Sequence, residues 1–264
     1  MKPTFKKKPR SGGRRQEPRA RPVERDYELT YGLRAGIALA TARPADLVKV
    51  AYSREVEREI APVLRVCEER GLRATAMPES ELARISGSTH HEGLCVAARP
   101  RGWVPAAKLA DLLLERRGVA VALDRVRNPY NVGAILRGAA FFGVDAAILG
   151  APAPHPALAP DAIRVAEGGV EHLALSRTTD LADTLARLRA RGAHVYGADG
   201  ASRESAIGFP FERPAILVVG HEREGMSPRV RAQCDRILAI PGSGAVESLN
   251  VAVATGVLIS ELVR

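Results

Sequence analysis

The chain has 264 residues, 46% of them apolar and 26% charged, with a formal net charge of +9. That is enough apolar side chain for a packed core, and the charge content is too ordinary for a disordered body. No apolar run approaches the ~18–20 residues of a membrane helix. Cys67, Cys95 and Cys234 are too few for a disulfide scaffold and too scattered for a structural zinc site.

The charge is unevenly placed. Residues 1–25 hold ten Lys/Arg and two acidic residues, and the other 239 residues are nearly neutral. This stretch is rich in Lys, Arg, Pro and Gly and has almost no large apolar side chain. It is expected to be a disordered basic tail. A mobile polycation gains counterion-release free energy on a polyanion, RNA first among them; the plainer reading is a solubilising arm. With no apolar h-region or small-residue cleavage site, the tail does not read as a secretory signal, and a cytoplasmic protein is expected.

Beyond the tail, hydrophobic periodicity predicts a helix over 31–42, with Leu33, Ile37 and Ala40 on one face. A short strand follows at 47–51, then an amphipathic helix over 56–70 with Gly71 at its C-terminal cap. A strand at 74–77, a helix at 79–86 and a strand at 93–98 complete a small α/β module over residues 26–100. Pro100, Gly102 and Pro105 then open a linker over 101–117, with an amphipathic stretch at 106–115. Trp103, the only tryptophan, reads as a hydrophobic anchor between domains, with base stacking as its alternative.

Residues 118–264 alternate strand-like and helix-like segments. Strands are expected at 119–123, 146–149, 171–175, 194–198, 215–219 and 236–240. Helices are expected at 131–142, 181–191, 228–234 and 249–262, with a Pro-rich loop at 151–160. Continuous apolar strands between helices indicate an α/β fold with a mostly parallel sheet covered on both faces. Ligands of such sheets bind beyond the carboxyl ends of the strands. The loops after Leu123, Val219 and Ile240 are therefore the places to search.

The first loop runs from Asp124 to Gly133 and lacks G-x-G-x-x-G, which argues against a dinucleotide site. Asn131 stands at a helix start, where it also suits an N-cap, and Arg137 lies two turns in. Gly133 and Gly138 inside that helix imply a close approach. The second loop, Gly220-His221-Glu222-Arg223-Glu224-Gly225, has Met226 where a phosphate loop needs lysine, and its acids would repel a triphosphate. The third, from Pro241 to Asn250, leads into an almost wholly apolar helix. Ser248 suits a cap there. Asn250 reads as a buried amide in need of partners.

Together these loops resemble the SpoU/TrmH family of RNA ribose 2′-O-methyltransferases, of the SPOUT superfamily. Residues Asn131-Val132-Gly133-Ala134-Ile135-Leu136-Arg137 are similar to that family's N-x-G-x-x-x-R. Leu217-Val218-Val219-Gly220-His221-Glu222-Arg223-Glu224-Gly225 is similar to its apolar strand and G-x-E-x-x-G. Ile240-Pro241, then Ser248-Leu249-Asn250-Val251, is similar to its I-P and S-L-N-V. The match covers most of residues 118–264. His221, where Asn or Ala is more usual, and the basic tail are departures. Residues 26–100 look like the small RNA substrate-binding domain found before many such domains, with His91-Glu92-Gly93 where relatives have His-Gln-Gly.

The resemblance implies a C-terminal domain with a deep trefoil knot and an obligate homodimer whose active site is completed across the interface. It implies S-adenosyl-L-methionine, without metal, held by Val219, Gly220, Gly225, Ile240, Pro241 and Leu249. It implies catalytic roles for Arg137, Asn131, Glu222, Ser248 and Asn250. The expected reaction is attack of a ribose 2′-hydroxyl on the sulfonium methyl group. The resemblance implies that Arg137 helps to deprotonate the hydroxyl; because a guanidinium is a poor base, the alternative role of stabilising the developing alkoxide and holding the adjacent phosphate is the preferred one. Ribosomal RNA is the expected substrate, with transfer RNA as the alternative. A non-catalytic RNA-binding or ribosome-assembly factor, and an oxidoreductase on a doubly wound sheet, are the competing classes. The pair His90 and His91 reads as solvated loop, with RNA contact as the alternative.

Overall fold

The computed structural model describes residues 27–150 and 158–264. The tail expected over residues 1–25 and most of the Pro-rich loop lie outside the described residues.

The first half is built from β1 (Glu28–Tyr31), α1 (Leu33–Ala42), β2 (Leu47–Tyr52), α2 (Ala61–Glu69), β3 (Ala74–Ala76), α3 (Glu79–Ser86) and β4 (Leu94–Ala98). The sheet order is β1-β4-β2-β3. β4 runs antiparallel to both neighbours, while β2 and β3 are parallel. Leu39, Val50, Ile60, Val63, Leu94 and Val96 form its core between sheet, α1 and α2.

Two expectations need correction here. Tyr31 ends a strand rather than starting a helix; Gly32 separates β1 from α1, and α1 has no local cap. Glu92, from the distant loop before β4, supplies one by accepting from Leu33 N at 3.0 Å. The second helix begins at Ala61, with Pro62 in its first turn, where a missing N–H costs nothing. Residues Arg54–Val56 form a 3₁₀ turn instead.

The second half contains α4 (Ala106–Arg116), β5 (Val119–Asp124), α5 (Pro129–Phe141), β6 (Ala146–Gly150) and α6 (Pro160–Val165). It continues with β7 (Ala174–Thr178), α7 (Leu181–Ala190), β8 (His194–Ala198), β9 (Ala215–Val219), α8 (Pro228–Arg231), β10 (Arg236–Leu238) and α9 (Val251–Val263). The six strands lie in the order β10-β8-β9-β5-β6-β7, and every pair is parallel. Alternation divides each strand between two cores. Val119, Val121 and Leu123 face α5, α6 and α9. Ala120 and Ala122 face α4, α7 and α8. The mostly parallel α/β sheet read from the sequence is thus the observed one.

The differences are local. A strand expected at 171–175 gives way to a 3₁₀ turn at Gly169–His172, and β7 begins at Ala174. The short helix α6 was not expected; Pro160 opens it. The apolar helix α9 is not enclosed on all sides within one chain. Thr255, Leu258, Ile259 and Leu262 are buried, while Val253 is 56% exposed.

The linker runs beside the sheet edge, where Val104 N donates to Leu175 O at 2.8 Å. Trp103 packs on the main core, with the Arg177 guanidinium 5.1 Å from its ring centroid. Arg101 is buried between the halves. Its Nη2 lies 2.6 Å from Glu28 Oε1 and 3.0 Å from Glu171 Oε1, and both carboxylates are buried too. Burial pulls the Arg101 pKa down, but Glu28 and Glu171 outweigh it, and the net shift is upward. Tyr31 Oη donates to Asp161 Oδ1 at 2.5 Å, a second tie between the halves. His91 is buried rather than solvated, and its Nδ1 accepts from Gly93 N at 3.2 Å.

Candidate active site

Strand order reverses between β5 and β9, so the loops that follow them open into one crevice at the carboxyl ends of the sheet. Asn128, not Asn131, caps α5, accepting from Tyr130 N at 2.9 Å. This leaves Asn131 free for a tertiary role. Its Nδ2 donates to Glu222 Oε1 at 2.7 Å, and its Oδ1 accepts from Asn250 Nδ2 at 3.0 Å. A carboxylate and two amides, each from a different loop, therefore form one chain of hydrogen bonds.

Asn250 is solvent-facing rather than a buried amide, and it is the N-cap of α9, its Oδ1 accepting from Ala252 N at 2.8 Å. One side chain so fixes the start of α9 and reaches the site. Ser248, the other cap candidate, is exposed and makes no side-chain hydrogen bond among the described residues.

The loop bearing Glu222 is rigid for a backbone reason. His221 and Gly225 exchange two backbone hydrogen bonds, of 3.0 and 2.9 Å, closing a tight turn. Gly220 lies against that turn so closely that a Cβ there would sit 2.3 Å from Gly225 C and Met226 N. Only glycine fits. His221 Nδ1 accepts from Arg223 N at 3.2 Å and holds the turn from inside. Asp124, buried at the end of β5, accepts from Ser227 N at 2.5 Å. Arg125 Nη2 donates to Gly225 O at 3.0 Å, and its Nη1 lies 2.5 Å from Glu224 Oε2. These contacts fasten the loop after β9 to the loop after β5.

Residues 240–249 form an open segment between β10 and α9. Among the described residues none of them makes a backbone–backbone hydrogen bond. Pro241 and Leu249 are exposed, Ile240 is half-buried, and Val219 is buried at the end of β9. A row of N–H and C=O groups without backbone partners, beside an apolar strand end, can read the edge of a heterocycle.

Arg137 does not join the hydrogen-bonded chain. Its Nη1 pairs with Glu167 Oε1 at 2.9 Å, and its side chain is 52% exposed. Gly133 is needed where α5 meets α6, since a Cβ would lie 2.5 Å from Ala162 O. Gly138 has no such neighbour, against expectation. Sequence reasoning missed Asp124, Arg125 and Glu167. An acid ending an apolar strand was a visible signal for Asp124, whereas nothing in the spacing marks Glu167. Among the described residues no cluster of His, Cys, Asp and Glu could hold a metal ion, and no helix is long and apolar enough to cross a membrane.

The profile of the SpoU rRNA Methylase family matches residues 118–260, the segment that contains all three loops. The chain belongs to that family. It is an RNA methyltransferase of the SpoU type, and its relatives match well beyond residues 118–260. It is 34% identical to a 23S rRNA (guanosine-2′-O-)-methyltransferase RlmB of Photorhabdus laumondii, over 90% of this chain and 98% of that protein. It is 30% identical to an uncharacterized tRNA/rRNA methyltransferase of Mycolicibacterium smegmatis, over 98% of this chain and 83% of the relative. Among solved structures, a TrmH-family RNA methyltransferase from Porphyromonas gingivalis superposes with a TM-score of 0.70 at 29% identity, covering 90% and 89% of the two chains. The SpoU methyltransferase AviRb of Streptomyces viridochromogenes, solved with AdoMet, shares the fold with a TM-score of 0.73 at 22% identity, covering 90% of each chain.

Proposed function

We propose that this SpoU-family protein methylates a ribose 2′-hydroxyl of RNA, ribosomal RNA in the first place, with S-adenosylmethionine as donor and as a homodimer. The observation that carries the reading is the Glu222–Asn131–Asn250 chain, which joins the three family motifs at the switch point of the sheet. The 34% identity to a relative named as a 23S rRNA guanosine 2′-O-methyltransferase supports the ribose and the ribosomal RNA.

The open segment fits the donor. Ile240, Pro241 and Leu249 would hold it by backbone, with Val219, Gly220 and Gly225 forming the opposite wall. Bound there, S-adenosylmethionine would supply an already activated methyl group, so the chemistry left to the protein is positioning and charge. Glu222 orients the Asn131 amide, and Asn131 orients Asn250. Ser248, without a side-chain hydrogen bond among the described residues, is available to the ribose or the donor. Fixing reactants this way supplies several kcal/mol of a barrier.

Arg137 would meet the oxygen that gains negative charge and the neighbouring phosphate. A guanidinium stays protonated at working pH, so it acts as a cation rather than a base. Arg137 is remote in bonding from Asn131 of its own chain, and we assign it to the partner's site. Exposed apolar side chains on the surrounding surface support pairing: Phe141 on α5 is 84% exposed, Leu249 47% and Val253 56%. Residues 26–100 would bind the RNA, 101–117 would link, and 118–264 would catalyse. The path from β10 at the sheet edge back to α9, packed on α5, supports the trefoil threading implied by the resemblance.

The test is transfer of labelled methyl to ribosomal and transfer RNA from cells lacking the protein. Label in ribosomal RNA alone is expected. Label in transfer RNA alone would move the substrate, and binding of RNA without transfer would make the protein an assembly factor.

A further inference from the structure

The second loop-and-helix surface that the family motifs do not cover is the turn after α6. There Glu167 has a left-handed backbone, φ +46°, which a glutamate seldom adopts. Its carboxylate takes one arginine on each oxygen: Arg137 Nη1 at 2.9 Å on Oε1, and Arg34 Nη1 at 2.6 Å on Oε2. Arg34 belongs to α1, in the half that precedes the linker. The next two residues explain why the turn reaches both helices. A Cβ on Gly168 would lie 2.5 Å from Ala38 Cβ of α1, and one on Gly169 would lie 3.1 Å from the Arg137 Cα. The turn is wedged between α1 and α5 at backbone distance, and the strained residue at its tip points its charge at Arg137.

We propose that Glu167 is the positioning residue for Arg137, and that through Arg34 it ties the arginine's orientation to the RNA-binding half. This rests on the reading of Arg137 as the residue that meets the reacting oxygen. A long side chain that is half exposed has many rotamers to lose. A fixed carboxylate selects among them before RNA arrives, so the cost of ordering is removed from the reacting state. Sharing the carboxylate with Arg34 means that displacement of α1 loosens the hold on Arg137.

The experiment is a double-mutant cycle in single-turnover methyl transfer on the full-length protein, using Arg137→Ala, Glu167→Ala and Glu167→Gln. Glu167→Ala is expected to slow the methyl-transfer rate constant about 10-fold. The RNA concentration for half-maximal rate, the S-adenosylmethionine affinity and the melting temperature should change little. Glu167→Gln, with one acceptor oxygen left, should fall between wild type and Glu167→Ala. In the Arg137→Ala background, Glu167→Ala should cost nothing further. An equal additional loss there would mean that Glu167 acts elsewhere, and a faster Glu167→Ala enzyme would mean that it restrains Arg137; either overturns the proposal. Should Glu167→Ala melt early, Glu167→Gln carries the same comparison. Undiminished turnover in Arg137→Ala alone would instead remove the assignment of Arg137, whatever Glu167 does.

Discussion

Asn131 uses both ends of its amide, donating to Glu222 and accepting from Asn250 through two separate atoms. Replacing Asn131 with Asp sets a second carboxylate against Glu222. Like charges at that distance raise one of the two pKa values. Asn131→Asp should therefore lose more activity at pH 8 than at pH 6, and a parallel loss across that range would show that the amide's donor is dispensable. Arg137→Ala should lose about 100-fold or more in turnover with S-adenosylmethionine affinity retained, as measured by calorimetry and label transfer. The cysteines have no part in this chemistry. Burial pushes the Cys95 thiol up to about 11, and burial, then Asp235, pushes Cys234 up to about 12. The folded protein should react with a thiol reagent at pH 8 only as it unfolds, since the thiolate is the reactive form. Fast stoichiometric labelling would contradict this.

At the scale of elements, the second sheet was legible because its strands are apolar on both faces, and five of its six were located within a residue or two at their starts. The sixth, β7, was displaced because Gly168 and Gly169 turn the chain where periodicity read a strand. In the first half β1 is only four residues long, and its apolar end merges with the helical pattern after it. The caps were harder. α1 is capped by Glu92, 59 residues away in sequence, and α5 by Asn128 rather than Asn131; neighbouring letters do not reveal such choices. The loops, Asn131 and Asn250 stood out in the sequence, the roles of the candidate site residues came only from the family resemblance, and Arg125 and Glu167 act through long-range contacts that spacing does not encode. Between the halves, Arg101 is held by Glu28 and Glu171 with all three side chains buried. Arg101→Ala should cost about 3 kcal/mol, the low end for breaking a buried pair, because Arg43 Nη1, 3.4 Å from Glu28 Oε1 and 3.9 Å from Glu171 Oε2, still faces both carboxylates. Urea unfolding measures this, and a loss under about 1 kcal/mol would mean that Arg43 and water take over from Arg101.

Across the whole molecule, residues 1–25 carry a net charge of +8 and the other 239 residues a net of +1. Deleting residues 1–25 should weaken RNA binding and flatten its salt dependence, with donor affinity unchanged; an unaltered slope would leave the tail as a solubilising arm. If the site is completed between protomers, an Arg137→Ala chain and a Glu222→Gln chain, each poorly active alone, should recover activity when reassembled together. One site of each mixed dimer would then lack both defects. Methylation of the ribose, as opposed to the base, is read from the bond that forms. RNA labelled by the wild-type protein would be hydrolysed with alkali and the label located. Label is expected in a single alkali-resistant dinucleotide, since a 2′-O-methyl group blocks cleavage of the adjoining linkage, and almost none is expected from Arg137→Ala. Label in an alkali-released mononucleotide would place the methyl on a base and contradict ribose methylation.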